Sequence, residues 1–174
     1  MIRRTIVVMG VTGCGKTTIG RLLAERLSIN FVDGDDLHGP ANVAKMSRGE
    51  ALTDDDRWPW LDRVGRTLVS NVYEGGIVLS CSALRRAYRE RIRARAGADL
   101  AFAYLDGSRD LIADRLRQRT GHFMPMDLLS SQFDTLEVPV GEPDVLAVGI
   151  DRSAVAIVDD LVDRLTKWNW IGRN

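Results

Sequence analysis

The sequence predicts a single three-layer α/β domain, in which a central parallel five-stranded sheet carries helices on both faces. The chain has 174 residues, a length that suits one domain covering residues 1–174. Short β-branched runs alternate along it with longer amphipathic stretches. Strands that alternate with helices pair in parallel, because each helix crosses one face of the sheet between two strands. Ligands of such a sheet bind beyond the carboxyl ends of its strands, so the residues that follow the strands are candidates for a site.

Each strand is predicted from a short apolar run that polar or glycine residues bound. Gly75 and Gly76 mark the turn into the third run. The predicted strands comprise residues 5–9, 30–32, 77–81, 100–105 and 145–150.

The helices are predicted from apolar residues at helical spacing. The first helix places Ile19, Leu23 and Leu27 on one face. In the second, Pro59 is expected in the first turn, where its missing N–H costs no hydrogen bond. The predicted helices comprise residues 16–27, 55–72, 85–96, 108–119 and 153–168.

Two long segments, residues 33–54 and 119–144, do not fit this alternation. Both are polar, and between them they carry Met, Phe and His residues as well as charges. Long irregular segments in a compact domain are often lids or binding loops. We therefore predict a substrate-binding segment over residues 33–60 and a lid over residues 119–139.

The composition excludes several classes of protein. The net charge is zero, with acidic and basic residues mixed along the chain, which argues against a nucleic-acid partner or an anionic membrane. No apolar stretch approaches the roughly 20 residues of a membrane span, and the apolar run at residues 6–9 is too short for a signal peptide. Cys14 and Cys81 are expected to be reduced thiols, with no metal ligands at useful spacing. A cytoplasmic location is expected.

A phosphate-binding loop follows the first predicted strand. Residues 10–17 match the pattern GxxxxGK[ST], and an amphipathic helix follows them. In such a loop, backbone N–H groups surround the phosphates of a nucleotide, here expected to be MgATP. Lys16 is predicted to reach the β- and γ-phosphates and Thr17 to bind Mg²⁺. The predicted nucleotide-binding residues of this segment are Gly10, Thr12, Gly13, Cys14, Gly15, Lys16, Thr17 and Thr18.

Two carboxylates after the second strand favour a kinase among the proteins that carry this loop. The guanine-reading motif Asn-Lys-x-Asp of GTPases is absent, and no aspartate ends the third strand. Asp33 and Asp35 would point the same way if the chain stayed extended. We assign Asp33 to Mg²⁺ and Asp35 to the catalytic base that accepts the proton of an attacking alcohol, although the spacing also fits the reverse. The alternative is an Asp-Gly turn in which Asp35 or Asp36 caps a helix.

The sequence resembles the gluconokinase family, within the shikimate kinase and adenylate kinase group of phosphate-loop enzymes. The resemblance covers nearly the whole chain. The family's proline after His38 is replaced by Gly39, and Arg85 stands where lysine is common. The segments that carry the resemblance are Asp33-Gly34-Asp35, Leu37-His38, Asn42 with Lys45-Met46, Gly49 with Leu52-Thr53-Asp54, Asp56-Arg57, Pro59-Trp60-Leu61, Cys81-Ser82-Ala83-Leu84-Arg85, Tyr88-Arg89, Gly121-His122-Phe123-Met124, and Ser131-Gln132-Phe133 with Thr135-Leu136-Glu137.

The resemblance implies a three-layer P-loop kinase fold and transfer of the γ-phosphate of ATP to the 6-hydroxyl of D-gluconate. A sugar acid needs cations for its carboxylate and several hydrogen bonds for its hydroxyls. Each candidate has an alternative: Arg57 could pair with Asp54 or Asp56, Lys45 could be a surface residue, and residues 85–95 could form a solvated basic face. The candidate substrate-binding residues are Asp35, His38, Lys45, Arg57, Arg85, Tyr88, Arg89, His122 and Gln132.

The lid is expected to complete the site. By resemblance, Arg119 meets the phosphates as a catalytic cation, Arg115 stacks near adenine, and the segment at Asp151 borders the base. A charged helix face is the alternative for both arginines. The resemblance also implies a homodimer. Two other functions remain in view: another small-molecule kinase, for a nucleoside monophosphate or shikimate, and a nucleotide-binding regulatory or scaffold protein.

Overall fold

The fold confirms the predicted three-layer α/β class. A computed structural model describes residues 5–70, 75–97, 100–118 and 126–170 of the chain. All strand pairs are parallel, and the strands lie in the order β2-β3-β1-β4-β5. The strands are β1 (Thr5–Met9), β2 (Asn30–Asp33), β3 (Ile77–Ser80), β4 (Ala101–Asp106) and β5 (Val145–Gly149).

Helices cover both faces of the sheet. Ile6 and Val8 of β1 pack on the side of α1, α5 and α7, whereas Val7 and Met9 pack on the side of α3 and α4. Strand β1 is therefore buried on both faces, as expected for the centre of a parallel sheet. The α-helices are α1 (Lys16–Leu27), α2 (Pro40–Ser47), α3 (Asp54–Ser70), α4 (Arg86–Ala96), α5 (Arg109–Gln118), α6 (Met126–Thr135) and α7 (Ala154–Lys167).

The predicted elements are all present within one or two residues, apart from ends that fall on undescribed residues. Helix α3 begins one residue earlier than predicted because Thr53 and Asp56 cap it reciprocally. The Thr53 backbone N–H donates to Asp56 Oδ2 (2.8 Å), and the Asp56 backbone N–H donates to Thr53 Oγ1 (3.2 Å). Pro59 consequently lies in the second turn of α3 rather than in the first.

The two long segments, residues 33–54 and 119–144, contain helices, which corrects their prediction as irregular segments. The first holds a short 3₁₀-helix (Gly34–Leu37) and α2, and the second holds α6. Helix α2 escaped prediction because its one buried residue is the polar Asn42, so it buries no apolar face. Residues 119–125, with Arg119 and His122, lie outside the described residues.

Across the part of the chain that the structure describes, no helix has the length and apolar character that crossing a membrane requires.

Candidate active site

The carboxyl ends of three neighbouring strands meet at one edge of the sheet. Ser80 of β3 lies in register with Val8 of β1 and Asp33 of β2. The Gly10 N–H donates to the Ser82 carbonyl (3.3 Å), which joins the phosphate loop to the segment after β3. The loop, the acidic turn after β2 and the segment after β3 therefore lie side by side, as the topology requires.

The phosphate loop has the backbone that its glycines permit. Gly13 and Gly15 have φ values of 78° and 100°, which strain any L side chain. A Cβ on Gly13 would also lie 2.8 Å from Leu116. Lys16 curls over the loop and donates from Nζ to the Val11 carbonyl (3.0 Å). The loop is thus shaped to bind the phosphates of a nucleotide.

Cys14 is a packing residue of this loop. Its side chain is buried, and burial raises the pKa of its thiol against the opposing influence of Lys16 and nearby backbone N–H groups. Its position at the start of α1 therefore does not produce a reactive thiolate. Any contact of Cys14 with phosphate would come from its backbone N–H.

Thr17 and Asp33 form a pair of oxygen-bearing side chains beside the loop. Thr17 Oγ1 donates to Asp33 Oδ2 (2.9 Å), and Ser80 Oγ donates to Asp33 Oδ1 (3.0 Å). The pair fits Mg²⁺, which takes one or two protein oxygens and completes its shell with phosphates and water. No group of three or more His, Cys, Asp or Glu side chains in the described segments could hold a metal by itself.

Asp35 lies in a tight turn that the surrounding structure holds in place. The chain turns into the 3₁₀-helix directly after Asp33, so the extended chain on which a shared direction of the two carboxylates depended is not present. The Asp-Gly turn of the alternative is present, but the residue that caps the helix is Asp33 rather than Asp35 or Asp36. Gly34 packs so closely against β3 that a Cβ would lie 2.1 Å from the Ser80 carbonyl oxygen. Trp60 Nε1 donates to the Gly34 carbonyl (2.7 Å). The turn separates the two carboxylates: Asp33 accepts hydrogen bonds at both oxygens, whereas Asp35 is exposed.

Hydrogen bonds connect both acidic residues to the phosphate loop. Thr17 Oγ1 donates to Asp33 Oδ2, and the Asp35 backbone N–H donates to Asp33 Oδ1 (3.1 Å). Burial raises the pKa of the Cys81 thiol, which directly follows β3, to about 12; the Asp35 and Asp33 carboxylates act in the same direction and Lys16 opposes them. The structure thereby brings together the predicted phosphate, metal and base residues.

A cluster of predicted sugar-binding residues lies between α3 and α4. Arg85 Nη1 and the Tyr88 hydroxyl both donate to Asp54, and Arg57 Nη1 donates to the Tyr88 hydroxyl (3.3 Å). Asp54 thus holds the two guanidinium groups and the phenol together. The Arg85 side chain is 44% exposed. The Arg85 guanidinium has five N–H donors, and only one of them forms a hydrogen bond with the described residues. The others therefore remain available to a ligand.

Lys45 is held by Asp56. Its ammonium group lies 2.7 Å from Asp56 Oδ2. Hydrogen bonds from Lys45 and Thr53 lower the pKa of Asp56 to about 2, so this carboxylate is ionised at neutral pH. Lys45 is therefore part of the cap of α3, and its contact with a sugar acid remains a prediction.

Arg89 is not a substrate-binding residue, which corrects its prediction. Its side chain is 1% exposed and forms an ion pair with Glu142, which is 6% exposed. Its Nη1 donates to the Ala83 and Leu84 carbonyls, and its Nη2 donates to the Glu137 carbonyl. These partners use the guanidinium fully. Arg89 instead supports the segment before α4, in which Ala83 has an uncommon φ of 44°.

Gln132 contacts the phosphate loop rather than the sugar-binding cluster. Its Oε1 accepts a hydrogen bond from the Thr12 backbone N–H (2.7 Å). This hydrogen bond ties α6 to the loop, and the predicted contact of Gln132 with a sugar hydroxyl stays a prediction.

A pocket of about 380 Å³ lies between the phosphate loop, α5 and α7, where a nucleotide base would be expected. Arg115 lines it and also donates to the Ile150 carbonyl. Asp151 does not line the pocket, although its neighbour Arg152 does. The residues around this pocket are Gly13, Cys14, Gly15, Thr18, Ile19, Arg115, Gln118, Arg152, Ala154 and Ile157.

Several residues of this site escaped the sequence analysis. The role of Glu142 could not be recognised in the sequence, because its partner Arg89 lies 53 positions away. Arg63 contacts the segment after β2 only through the fold. Asn42 is one of the residues that carry the resemblance, but its position beside His38 and the Asp56 carbonyl comes from the structure. Trp60, which belongs to a segment that carries the resemblance, is buried and also stacks on His38.

Comparisons with known proteins identify the family. The family model for shikimate kinase matches residues 12–131. A gluconokinase of Gluconobacter oxydans (strain 621H) is 49% identical over an alignment of 162 residues that covers 91% of this chain and 89% of that protein. The thermosensitive gluconokinase of Escherichia coli (strain K12) is 40% identical, over 91% of this chain and 86% of its own.

Solved structures agree with these relatives. A gluconokinase from Sinorhizobium meliloti 1021 has a TM-score of 0.89 and 45% identity, covering 97% of this chain and 94% of its own. A shikimate kinase from Aquifex aeolicus vf5, with a TM-score of 0.62 and 17% identity over 97% of this chain and 99% of its own, shares the fold. The chain therefore belongs to the gluconokinase family, within the shikimate kinase group of phosphate-loop kinases.

Proposed function

We propose that the protein transfers the γ-phosphate of MgATP to the 6-hydroxyl of D-gluconate, giving 6-phospho-D-gluconate and ADP. One observation carries the proposal: the phosphate loop, the turn with the exposed Asp35 and the segment that leads to the cationic cluster at Arg85 follow three neighbouring strands at the carboxyl edge of the sheet. The loop would hold the donor phosphates. The cluster of Arg57, Arg85 and Tyr88 would hold the carboxylate and hydroxyls of the sugar acid.

Asp35 is proposed as the base. Its exposed carboxylate is positioned by the turn at Gly34, and it would accept the proton of the 6-hydroxyl as that oxygen attacks. Lys16 would release the Val11 carbonyl and bind the β- and γ-phosphates. Thr17 and Asp33 would hold Mg²⁺, which neutralises charge on the phosphate oxygens. Arg119 and His122 are proposed to act from the lid, and Arg115 and Asp151 to border the base.

The resemblance to gluconokinases also supports a homodimer in the cytoplasm that serves carbohydrate-acid catabolism. Multi-angle light scattering of the purified protein tests the homodimer, and a monomer mass would contradict it.

A coupled ADP-release assay tests the reaction over a panel of gluconate, other aldonates, shikimate and AMP. Turnover should depend on gluconate. Turnover with shikimate instead would favour the alternative function of a shikimate kinase, which is the family whose model matches the chain. Binding of ATP without turnover of any acceptor would favour a regulatory or scaffold protein.

Arg85→Ala is expected to raise KM for gluconate by about 10- to 100-fold, with little change in KM for ATP. The substitution removes a charge-assisted hydrogen bond of about 1.5–3 kcal/mol. Arg86→Ala is the matched control, because Arg86 is the next residue but is exposed and pairs with Glu90. Steady-state kinetics with each substrate varied give both constants. An unchanged KM for gluconate in Arg85→Ala would remove Arg85 from the sugar site.

A further inference from the structure

The ring of His38 is fixed relative to the catalytic turn. It stacks on Trp60 with ring centroids 4.2 Å apart and an interplanar angle of 15°. Trp60 is buried and donates to the Gly34 carbonyl, between Asp33 and Asp35. The same indole therefore sets both the plane of the imidazole and the position of the turn that carries the proposed base.

The hydrogen bonds of Asn42 determine which nitrogen of His38 carries the proton. Asn42 Nδ2 donates to the Asp56 backbone carbonyl (2.9 Å) and lies 3.2 Å from His38 Nδ1. A backbone carbonyl can only accept, so the amide nitrogen of Asn42, and not its oxygen, must face Asp56. That nitrogen is a donor, so His38 Nδ1 must be the acceptor. A neutral imidazole with an accepting Nδ1 carries its proton on Nε2.

The remaining nitrogen is available to a ligand. Within the described residues, His38 Nε2 has no hydrogen-bond partner, and the ring is half-buried next to the turn at Asp35. An Nε2–H group can only donate, and a sugar hydroxyl can accept. A carbon-bound hydroxyl is thus a suitable partner, whereas a cation is not.

We propose that Asn42 and Trp60 are positioning residues that hold His38 as the neutral Nε2–H tautomer, so that it donates a hydrogen bond to a hydroxyl of the bound sugar acid. The donor role rests on the proposed function, whereas the tautomer does not. In this arrangement His38 takes no part in proton transfer. It distinguishes substrates by the presence and position of one accepting hydroxyl.

The charges around His38 agree with a neutral ring. Burial lowers the pKa of His38, the Asp35 carboxylate raises it, and the guanidinium groups of Arg63 and Arg57 lower it, with a net lowering. Asn42, which faces the ring from α2, is uncharged. A protonated ring would in addition turn an Nδ1–H donor toward the Asn42 amide donors. The neutral form of His38 is therefore expected to persist at pH values below 6.5, the ordinary pKa of histidine.

Nuclear magnetic resonance tests the tautomer without any substrate. The sequence has two histidines, so His122→Gln leaves His38 as the sole imidazole. A long-range ¹H–¹⁵N correlation spectrum at pH 7 should show a protonated Nε2 and an unprotonated Nδ1. An Nδ1–H tautomer or an imidazolium at pH 7 would overturn the proposal, whether or not gluconate is the substrate. Asn42→Leu, which removes the donor to Nδ1, should yield a mixture of the two tautomers; an unchanged spectrum would also overturn it.

Two isosteric substitutions test the donor role in the otherwise native chain. The amide nitrogen of glutamine in His38→Gln can reach the position of Nε2, whereas that of asparagine in His38→Asn lies nearer to Nδ1. His38→Asn is expected to raise KM for gluconate by about 3- to 10-fold, with kcat and KM for ATP largely retained, and His38→Gln should restore most of the loss. Equal KM values for the two variants, with both folded by circular dichroism and the native chain active on gluconate, would overturn the donor role. Absence of gluconate turnover in the native chain would instead contradict the proposed function and leave the tautomer to the spectrum.

Discussion

Asp35→Asn is expected to lower kcat for gluconate phosphorylation by about 10²- to 10⁴-fold, the range that a positioned general base contributes. The amide has the size of the carboxylate but cannot accept the proton of the attacking hydroxyl. The fold should survive, because Asp35 is exposed and its carboxylate accepts no hydrogen bond from the described residues. KM for ATP should change little, since the phosphate loop is untouched. Rapid-quench and steady-state kinetics measure these constants.

The neighbouring carboxylates provide the controls. Asp36→Asn alters an exposed residue of the same turn and should leave kcat close to the native value. Asp33→Asn weakens the pair with Thr17 and should raise the Mg²⁺ concentration required for half-maximal rate. A near-native kcat in Asp35→Asn would end its assignment as the base. A kcat in Asp33→Asn that saturating Mg²⁺ does not rescue would transfer that assignment to Asp33.

Glu142→Gln is expected to lower the free energy of unfolding by about 3–5 kcal/mol, because it leaves the buried Arg89 guanidinium without its counter-ion. Glu142 also binds Arg93, at 2.5 Å, so the substitution removes the centre of a three-residue cluster. Urea unfolding followed by circular dichroism measures the effect. Because Arg89 supports the segment that leads to Arg85, KM for gluconate should rise as well.

An exposed ion pair is the matched control for this prediction. Glu90→Gln breaks the pair of Glu90 with Arg86 on the surface of α4, the helix that also carries Arg89. It should lower the free energy of unfolding by less than about 0.5 kcal/mol. An equal, small loss in Glu90→Gln and Glu142→Gln would show that the buried cluster does not stabilise the fold.

The buried pair should also make stability depend on pH. Burial acts to raise the pKa of Glu142, but hydrogen bonds and charges from Arg89 and Arg93 lower it, and the net pKa lies below its ordinary value of 4.5. A carboxyl whose pKa is lowered by folding contributes fully above the pKa of the unfolded chain, and this contribution is lost as pH falls through the folded pKa. The stability difference between the native chain and Glu142→Gln should therefore be full at pH 7 and should shrink below about pH 4.5. A difference that stays constant down to pH 3 would contradict this account.

The sequence was sufficient for features that depend on local pattern. The phosphate loop follows from eight consecutive residues, and its glycines adopt the positive φ values that the pattern demands. The alternation of strands and helices likewise follows from short apolar runs and from apolar residues at helical spacing; the first of these runs forms β1, which is buried on both faces. Helix α2 was missed because its one buried residue is a polar asparagine, so no buried apolar face marks it.

Tertiary structure alone decided which basic residues remain available to a substrate. Arg85 and Arg89 are four positions apart at the start of α4 and are equally basic in sequence. Arg89 is buried and faces Glu142, which belongs to the segment before β5. Arg85, in contrast, pairs with the partly exposed Asp54 and lies over the Tyr88 ring. The proposed protonation of His38 also depends on contacts between separate segments. Asn42 of α2 donates to a backbone carbonyl of α3, and this fixes which atom of its amide faces His38. Local pattern thus determined the fold and the phosphate loop, and contacts between distant segments determined the form in which each polar side chain reaches the site.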